Sequence, residues 1–171
     1  MERSYESSGK GENDVTNELQ LLIESLEKKK TVLSDILNKS RLQGEIASTE
    51  NFDVEKFDRL FDEKSELLQQ MERLDQGFDA VYERIKDELL EKKDSYKDEI
   101  ARLQKLISET IDLGAQIHAT EARTKDSMST ALTNSRQELQ KRRASSKSVM
   151  DYYKANSQLK YVEPFFMDQK K

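Results

Sequence analysis

Apolar residues recur at helical spacing along most of the chain, and the first such stretch begins after residue 15. Spacings of three, four and seven residues place one apolar stripe on a single helical face, formed by Leu19, Leu22, Ile23, Leu26, Leu33, Ile36 and Leu37. This pattern predicts a helix from Thr16 to Ala47, about 48 Å long at 1.5 Å per residue. Three lysines at 28–30 interrupt the stripe. Polar residues at 48–51 predict a loop after it.

A second helix is predicted to follow Asp53, which is a favourable N-cap residue. Phe52 and Phe57 flank this start and are spaced to pack as a hydrophobic staple. Steps of three and four residues then define a heptad seam, which comprises Val54, Phe57, Phe61, Lys64, Leu68, Met71, Asp75, Phe78, Tyr82, Ile85 and Leu89. Further apolar residues at 60, 67, 74 and 81 broaden this stripe. The breadth indicates that the second helix touches more than one neighbour.

The third predicted helix runs from Tyr96 to Tyr153, with an apolar face that covers Ile100 to Ile117. At residues 92–95, basic residues typical of a helix C-terminus are followed by a possible N-cap, which predicts a break between the second and third helices. However, this stretch lacks Gly and Pro, and the heptad continues through it in phase. A single uninterrupted helix is therefore the alternative. The hairpin is favoured because folding back buries the broad stripe of the second helix.

These elements predict an all-α protein, either an elongated antiparallel helical hairpin or a three-helix coiled-coil bundle with a long C-terminal helix. The expected organisation is a mobile polar tail at 1–15, a helical coiled-coil domain at 16–153 and a flexible apolar tail at 154–171.

Composition supports elongated helices over a compact globule. Only 35% of the 171 residues are apolar and 37% are charged, whereas an ordinary globular domain is about 45–50% apolar. The absence of Cys excludes disulfides and thiol catalysis, and a single His makes a histidine-based metal site or a catalytic triad improbable. We therefore expect no catalysis and no cofactor.

The N-terminal residues are polar and lack the apolar core of a signal peptide. No apolar run is long enough to span a membrane. Cytoplasmic localisation without membrane insertion is expected.

Two charged motifs carry weaker hypotheses. Lys141, Arg142 and Arg143 could contact phosphates, but the chain has a net charge of −5, so a solvated basic face or a docking patch for an acidic protein is favoured. His118 and Glu121 are spaced as some helical metal ligands are, yet one pair cannot complete a coordination shell. Ordinary polar helix positions explain both residues.

The C-terminal sequence is the strongest candidate for binding a partner. Between Leu132 and Val149 the only large apolar residue is Leu139, and an aromatic-rich stretch with a single Pro164 follows. This stretch either folds back onto the bundle as a cap or binds another protein. The proposed partner contacts are Val149, Met150, Tyr152, Tyr153, Leu159, Tyr161, Phe165, Phe166 and Met167.

The order of these features resembles the flagellar export chaperone family usually called FlgN. The resemblance rests on the Leu-rich first helix at 19–37, the acidic helix start at 52–57 and the Lys-x-x-Leu-Leu pattern within 63–71. It continues in a long terminal helix that contains 117–125 and in the ending at 152–153 and 164–171. Thr124 departs from the family, which often carries Asn near this position. The resemblance implies a cytoplasmic chaperone that binds hook-associated proteins, those of the hook-filament junction, and delivers them to the type III export gate.

Three other functions stay open on the sequence alone. The first is a structural, homo-oligomeric coiled-coil protein without a client. The second is a chaperone for the flagellar cap protein, and the third is a helical protein that associates with nucleic acid through the basic run.

Overall fold

The computed structural model describes residues 8–134 and shows three helices. Helix α1 spans Ser8–Ala47, α2 spans Val54–Glu91 and α3 spans Lys97–Asn134, with a short 3-10 turn at Lys93–Tyr96. Both α2 and α3 pack along α1, and no strand occurs among the described residues. The prediction of an all-α helical bundle with a long final helix is confirmed. The rest of the predicted third helix, the nine proposed contact residues and the basic run lie outside the described residues.

Helix α1 begins at Ser8, eight residues before the predicted start. Val15, which the sequence analysis assigned to the tail, is only 4% exposed and belongs to the core. It lies four residues before Leu19, so it continues the same helical stripe by one turn. At the other end, the hydroxyl of Ser48 donates to the carbonyl of Gly44 at 2.8 Å, and the helix stops.

Helix α2 begins as the sequence predicted. The carboxylate of Asp53 accepts a hydrogen bond from the backbone N–H of Lys56 at 3.0 Å, which satisfies one of the exposed donors of the first turn. The rings of Phe52 and Phe57 lie 5.2 Å apart. The N-cap and the staple are both confirmed, and they fix the direction in which α2 leaves the loop.

The chain reverses between α2 and α3, and the alternative of one continuous helix is wrong. Helix α2 ends at Glu91, where the N–H of Lys92 still bonds to the carbonyl of Glu88 at 2.9 Å. The N–H of Ser95 then bonds to the carbonyl of Lys92 at 3.0 Å and closes the turn. Tyr96 is buried in the core directly after it. Burial of the Tyr96 ring stabilises this chain reversal, although the turn contains neither Gly nor Pro.

The core consists of three apolar clusters that follow one another along the bundle axis. The first joins the start of α1, the end of α2 and the start of α3, through residues that include Leu19, Leu22, Ile85, Leu89 and Leu103. The second, at mid-length, contains Val32, Leu33, Ile36, Leu37 and Ile117. The third, beside the α1–α2 loop, contains Ile46, Ala47, Phe57, Leu60 and Met128. This order shows that α2 runs antiparallel to both α1 and α3.

Candidate functional site

A buried polar layer separates the central cluster from the one beside the α1–α2 loop. Lys64 on α2 is 1% exposed and Glu121 on α3 is 7% exposed, and their side chains form an ion pair. The Lys64 ammonium also donates to the Gln43 carbonyl oxygen at 2.8 Å. Ser40 donates to the same carboxylate oxygen of Glu121 at 2.5 Å. All three helices therefore contribute to one hydrogen-bonded network.

Burial governs the ionisation of this network. Desolvation lowers the pKa of Lys64 from 10.5 to about 8, although the nearby Glu121 carboxylate favours the charged ammonium. An ammonium in such an environment is stabilised only through its direct partners. The amide of Gln43 completes the layer by donating to the backbone carbonyl of Phe57 at 3.1 Å. This arrangement fixes the helices relative to one another.

A second polar layer lies on the other side of the central cluster. Lys29 on α1 is 2% exposed and pairs with Asp75 on α2 at 2.5 Å. Nearby, the hydroxyl of Ser25 donates to the backbone carbonyl of Leu74 at 3.4 Å. The lysine run that interrupts the apolar stripe thus contributes one of its three side chains to the interior.

Neither layer was predicted from the sequence, although the predicted seam of α2 contains both Lys64 and Asp75. The prediction that Glu121 occupies an ordinary polar position is wrong, because this carboxylate is buried against Lys64. His118 is exposed and does not share the environment of Glu121. A charged residue at a seam position is the signal that predicts an oppositely charged residue on a neighbouring helix.

The middle of α2 presents an apolar surface that the other helices cover only in part. Leu67, Leu68, Met71 and Leu74, here called the central stripe of α2, pack against the central cluster yet are each half-buried. Opposite them, the apolar residues of α1 from Val32 to Leu37 are buried. The backbones of α2 and α3 hardly approach each other, because each packs mainly on α1. The central stripe therefore has accessible apolar area.

An open groove of about 480 Å³ adjoins this stripe between α1 and α2. Two apolar residues, Val32 and Leu74, line it together with four polar ones, Lys28, Thr31, Gln70 and Arg73. Grooves with a mixed lining of this kind suit the side chains of a docked helix or peptide.

Carboxylates border the central stripe. Residues 62–83 carry seven Asp or Glu against two Lys or Arg, and one of these two cations is the buried Lys64. The pKa of Asp79 is raised, first by burial and then by the negative charge of Asp75. Burial and the charge of Asp62 raise the pKa of Asp58 as well. Burial is the first cause of both shifts, and the charge of a neighbouring carboxylate is the second.

The described residues contain no group of three or more side chains placed to hold a metal ion. Within the same range, no helix is long and apolar enough to cross a membrane.

Comparison of the chain with protein-family models, curated proteins and solved structures gives no match.

Proposed function

We propose that this protein is a cytoplasmic chaperone of the flagellar type III export system. It binds hook-associated proteins and delivers them to the export gate, as the sequence resemblance to the FlgN family implies. The client is an amphipathic helix from the end of such a protein. The chaperone contributes two surfaces, the nine C-terminal contact residues from Val149 to Met167 and the central stripe of α2.

The half-buried central stripe is the observation that carries the proposal. Four large apolar side chains on one helix, bordered by carboxylates, form a surface suited to the apolar face of another helix. Fully burying a side chain such as Leu or Met stabilises a complex by about 1.5–3 kcal/mol. Because Leu67, Leu68, Met71 and Leu74 are already partly covered, each gains only a fraction of that amount. The resulting complex is releasable, as delivery to an export gate requires.

The test is co-expression of the full chain with hook-filament junction proteins from the same organism. Complex formation is measured by size-exclusion chromatography with light scattering. We expect a stable complex with at least one of these proteins. A variant that ends at Asn156, and a full-length Phe165→Ser/Phe166→Ser/Met167→Ser variant, should each lose most of the complex.

A second pair of variants tests the central stripe separately. Leu68→Ser/Met71→Ser should weaken the complex by about tenfold or more. Leu42→Ser is the matched control, because Leu42 is 44% exposed on α1 and lies outside both proposed surfaces. The proposal fails if no junction protein is retained, or if the control weakens the complex as much as the stripe variant does.

The same experiment discriminates the structural coiled-coil alternative. The half-buried stripe could also pair with a second copy of the chain. In that case light scattering would show a concentration-dependent dimer or larger assembly without any client. A concentration-independent monomer would exclude the alternative.

A further inference from the structure

The central stripe of α2 and the sequence that follows α3 have complementary chemistry. Residues 62–83 of α2 carry a net charge of −5, and the carboxylates among them other than Glu63 and Asp75, which pair with Lys39 and Lys29 of α1, are Asp62, Glu66, Glu72, Asp79 and Glu83. Residues 135–171 carry nine Lys or Arg against four Asp or Glu. The stripe offers half-buried Leu and Met side chains, and the C-terminal segment supplies aromatic and aliphatic residues from Val149 onward. Opposite charges steer the two surfaces together, and apolar contact then stabilises the pair.

The geometry of the bundle places the start of this segment at the correct end of α2. Met128, one and a half turns before the end of α3, packs in the same cluster as Phe57 in the first turn of α2. The chain therefore leaves α3 beside the start of α2. Measured from Phe57 along the helix axis, the central stripe begins at about 15 Å and ends at about 26 Å, at 1.5 Å per residue.

The length of the segment is sufficient for it to return along the bundle. Thirty-seven residues follow Asn134, and even a fully helical segment of that length reaches about 55 Å. A return path parallel to α2 passes Leu67 and continues to Leu74 before the chain ends.

From these observations we propose that residues 135–171 dock on the central stripe of α2 in the client-free protein and complete the bundle as a fourth element. The basic residues at 136–147 then lie beside the carboxylates that border the stripe, and the apolar residues from Val149 onward cover Leu68 and Met71. The docked segment conceals both surfaces that the proposed function assigns to client binding. The docking itself does not depend on the identity of any client.

The test is a distance measurement by electron–electron double resonance on the full-length, client-free chain. The natural sequence lacks Cys, so spin labels attach only at introduced positions. One label is placed at Ser148→Cys and the other at Gln69→Cys, an exposed position beside the stripe. The matched control pair replaces Gln69→Cys by Asn38→Cys, which is exposed on α1, about one helical turn from the level of Gln69.

We expect a narrow, short distance between positions 69 and 148, and a longer distance between positions 38 and 148. Leu68→Ser/Met71→Ser should abolish the narrow distance peak. Glu66→Lys/Glu72→Lys should weaken it, and the matched reversal Asp35→Lys/Glu45→Lys on α1 should leave it unchanged. Circular dichroism of each variant verifies that the helix content is retained.

Two results would overturn the proposal. A broad distribution for the 69–148 pair would show that the segment does not occupy the stripe. A short distance that also appears in a mixture of singly labelled chains would show that the segment of a second copy covers the stripe. Neither result depends on client binding, so failure of this proposal is distinguishable from failure of the chaperone assignment.

Discussion

Lys64 is the residue at which helix packing and electrostatics are most tightly coupled. Its ammonium is buried on α2 and contacts a carboxylate on α3 and an amide on α1. A buried ion pair is weak evidence for high stability, because desolvation offsets most of the attraction. The pair favours this arrangement of the helices, because an arrangement that separates Lys64 from Glu121 leaves a charge buried alone.

Substitutions in this ion pair should be strongly non-additive. Lys64→Met leaves the Glu121 carboxylate buried without its cation, and Glu121→Met leaves the ammonium without its anion. Each single substitution should lower the free energy of unfolding by about 3–5 kcal/mol, whereas the double variant should cost less than either one. Urea denaturation of the unsubstituted chain, the two single variants and the double variant completes this double-mutant cycle. Single costs that simply add in the double variant would show that the pair does not act as a unit.

The lowered pKa of Lys64 predicts a specific pH dependence. Between about pH 8 and pH 10.5 the unfolded chain holds the Lys64 proton and the folded chain releases it. Since the unfolded state then binds more protons, stability from this residue rises with pH over that window. The unfolding free energy of the natural chain minus that of Lys64→Met should be constant below about pH 8. Above it, the difference should increase by up to about 1.4 kcal/mol per pH unit.

Lys86→Met provides the control for this pH dependence. The pKa of Lys86 is raised, first by its hydrogen bond to Glu83 and then by the charge of that carboxylate. A raised pKa in the folded state gives a contribution that is lost as pH rises, so the corresponding difference should not increase. Denaturation at several pH values between 7 and 10 compares the two lysines. Parallel curves for Lys64→Met and Lys86→Met would contradict the assignment of the lowered pKa to burial.

Among the elements, helices α1 and α3 approach each other closely at Gly44. A Cβ atom at Gly44 would lie 2.9 Å from the Thr124 hydroxyl oxygen. That hydroxyl donates to the backbone carbonyl of Thr120 at 3.0 Å, and the β-branched side chain has little freedom to move. The glycine therefore permits close helix packing, and Thr124 forms the opposing surface.

Alanine should have opposite effects at two helical glycines. At Gly77, which is exposed on α2 with no atom within 4 Å of the added Cβ, the substitution should stabilise the fold by about 0.5–1 kcal/mol through helix propensity. At Gly44 the clash should exceed this gain and give a net loss of about 1 kcal/mol or more. Thermal and urea denaturation of the two variants measure these changes in stability. Thr124→Ala should restore part of the stability of Gly44→Ala, and stabilisation by Gly44→Ala alone would contradict the close packing.

Helix α2 differs from the other two elements in how its stripe is used. Its buried apolar residues are confined to its two ends, at Phe57 and Leu60 and again at Tyr82, Ile85 and Leu89. Between these ends, its apolar residues are only half-buried. The broad stripe thus has two roles, since its ends build the core and its centre presents the proposed binding surface.

For the molecule as a whole, alternating apolar clusters and polar layers set the register of the helices. The buried polar residues of α1 fall at the same heptad-like spacing as its apolar ones, namely Lys29, Ser40 and Gln43. Sliding α2 by one heptad would place Lys64 against an apolar cluster and remove it from Glu121. The cost of an unpaired buried charge disfavours this slip, and a polar residue at a seam position is known to fix register in coiled coils.

The distribution of burial predicts where large-to-small substitutions cost most. Leu103 is 0% exposed in the cluster at the hairpin end, so Leu103→Ala should lower the free energy of unfolding by about 3–5 kcal/mol. Leu67→Ala, on the half-buried stripe, should cost about 1–2 kcal/mol, since the three helices cover only part of its surface. Chemical denaturation compares the two variants directly. Equal costs would show that the centre of α2 is as fully packed as the hairpin end.

Local patterns in the sequence predict the existence of the three helices, the end of α1 and the capped start of α2. Helical periodicity, an N-cap aspartate and a flanking pair of phenylalanines are local signals, and each depends on residues within a few positions of one another. Local signals also favoured the break after Glu91. They missed the first eight residues of α1, because a single Val15 between polar residues is too weak a pattern to extend a stripe.

The packing of the helices sets which residues neutralise the buried charges and which apolar residues the helices cover only in part. Lys64 and Glu121 are separated by 57 positions in the chain, so their pairing follows from the stacking of helices and from no local pattern. The same holds for Lys29 with Asp75 and for Gly44 with Thr124. Heptad spacing fixes the face a residue occupies, but its burial depends on how closely the neighbouring helices approach. That distance is why Leu103 is fully buried while Leu68 and Met71, on an equally regular seam, are buried only in part.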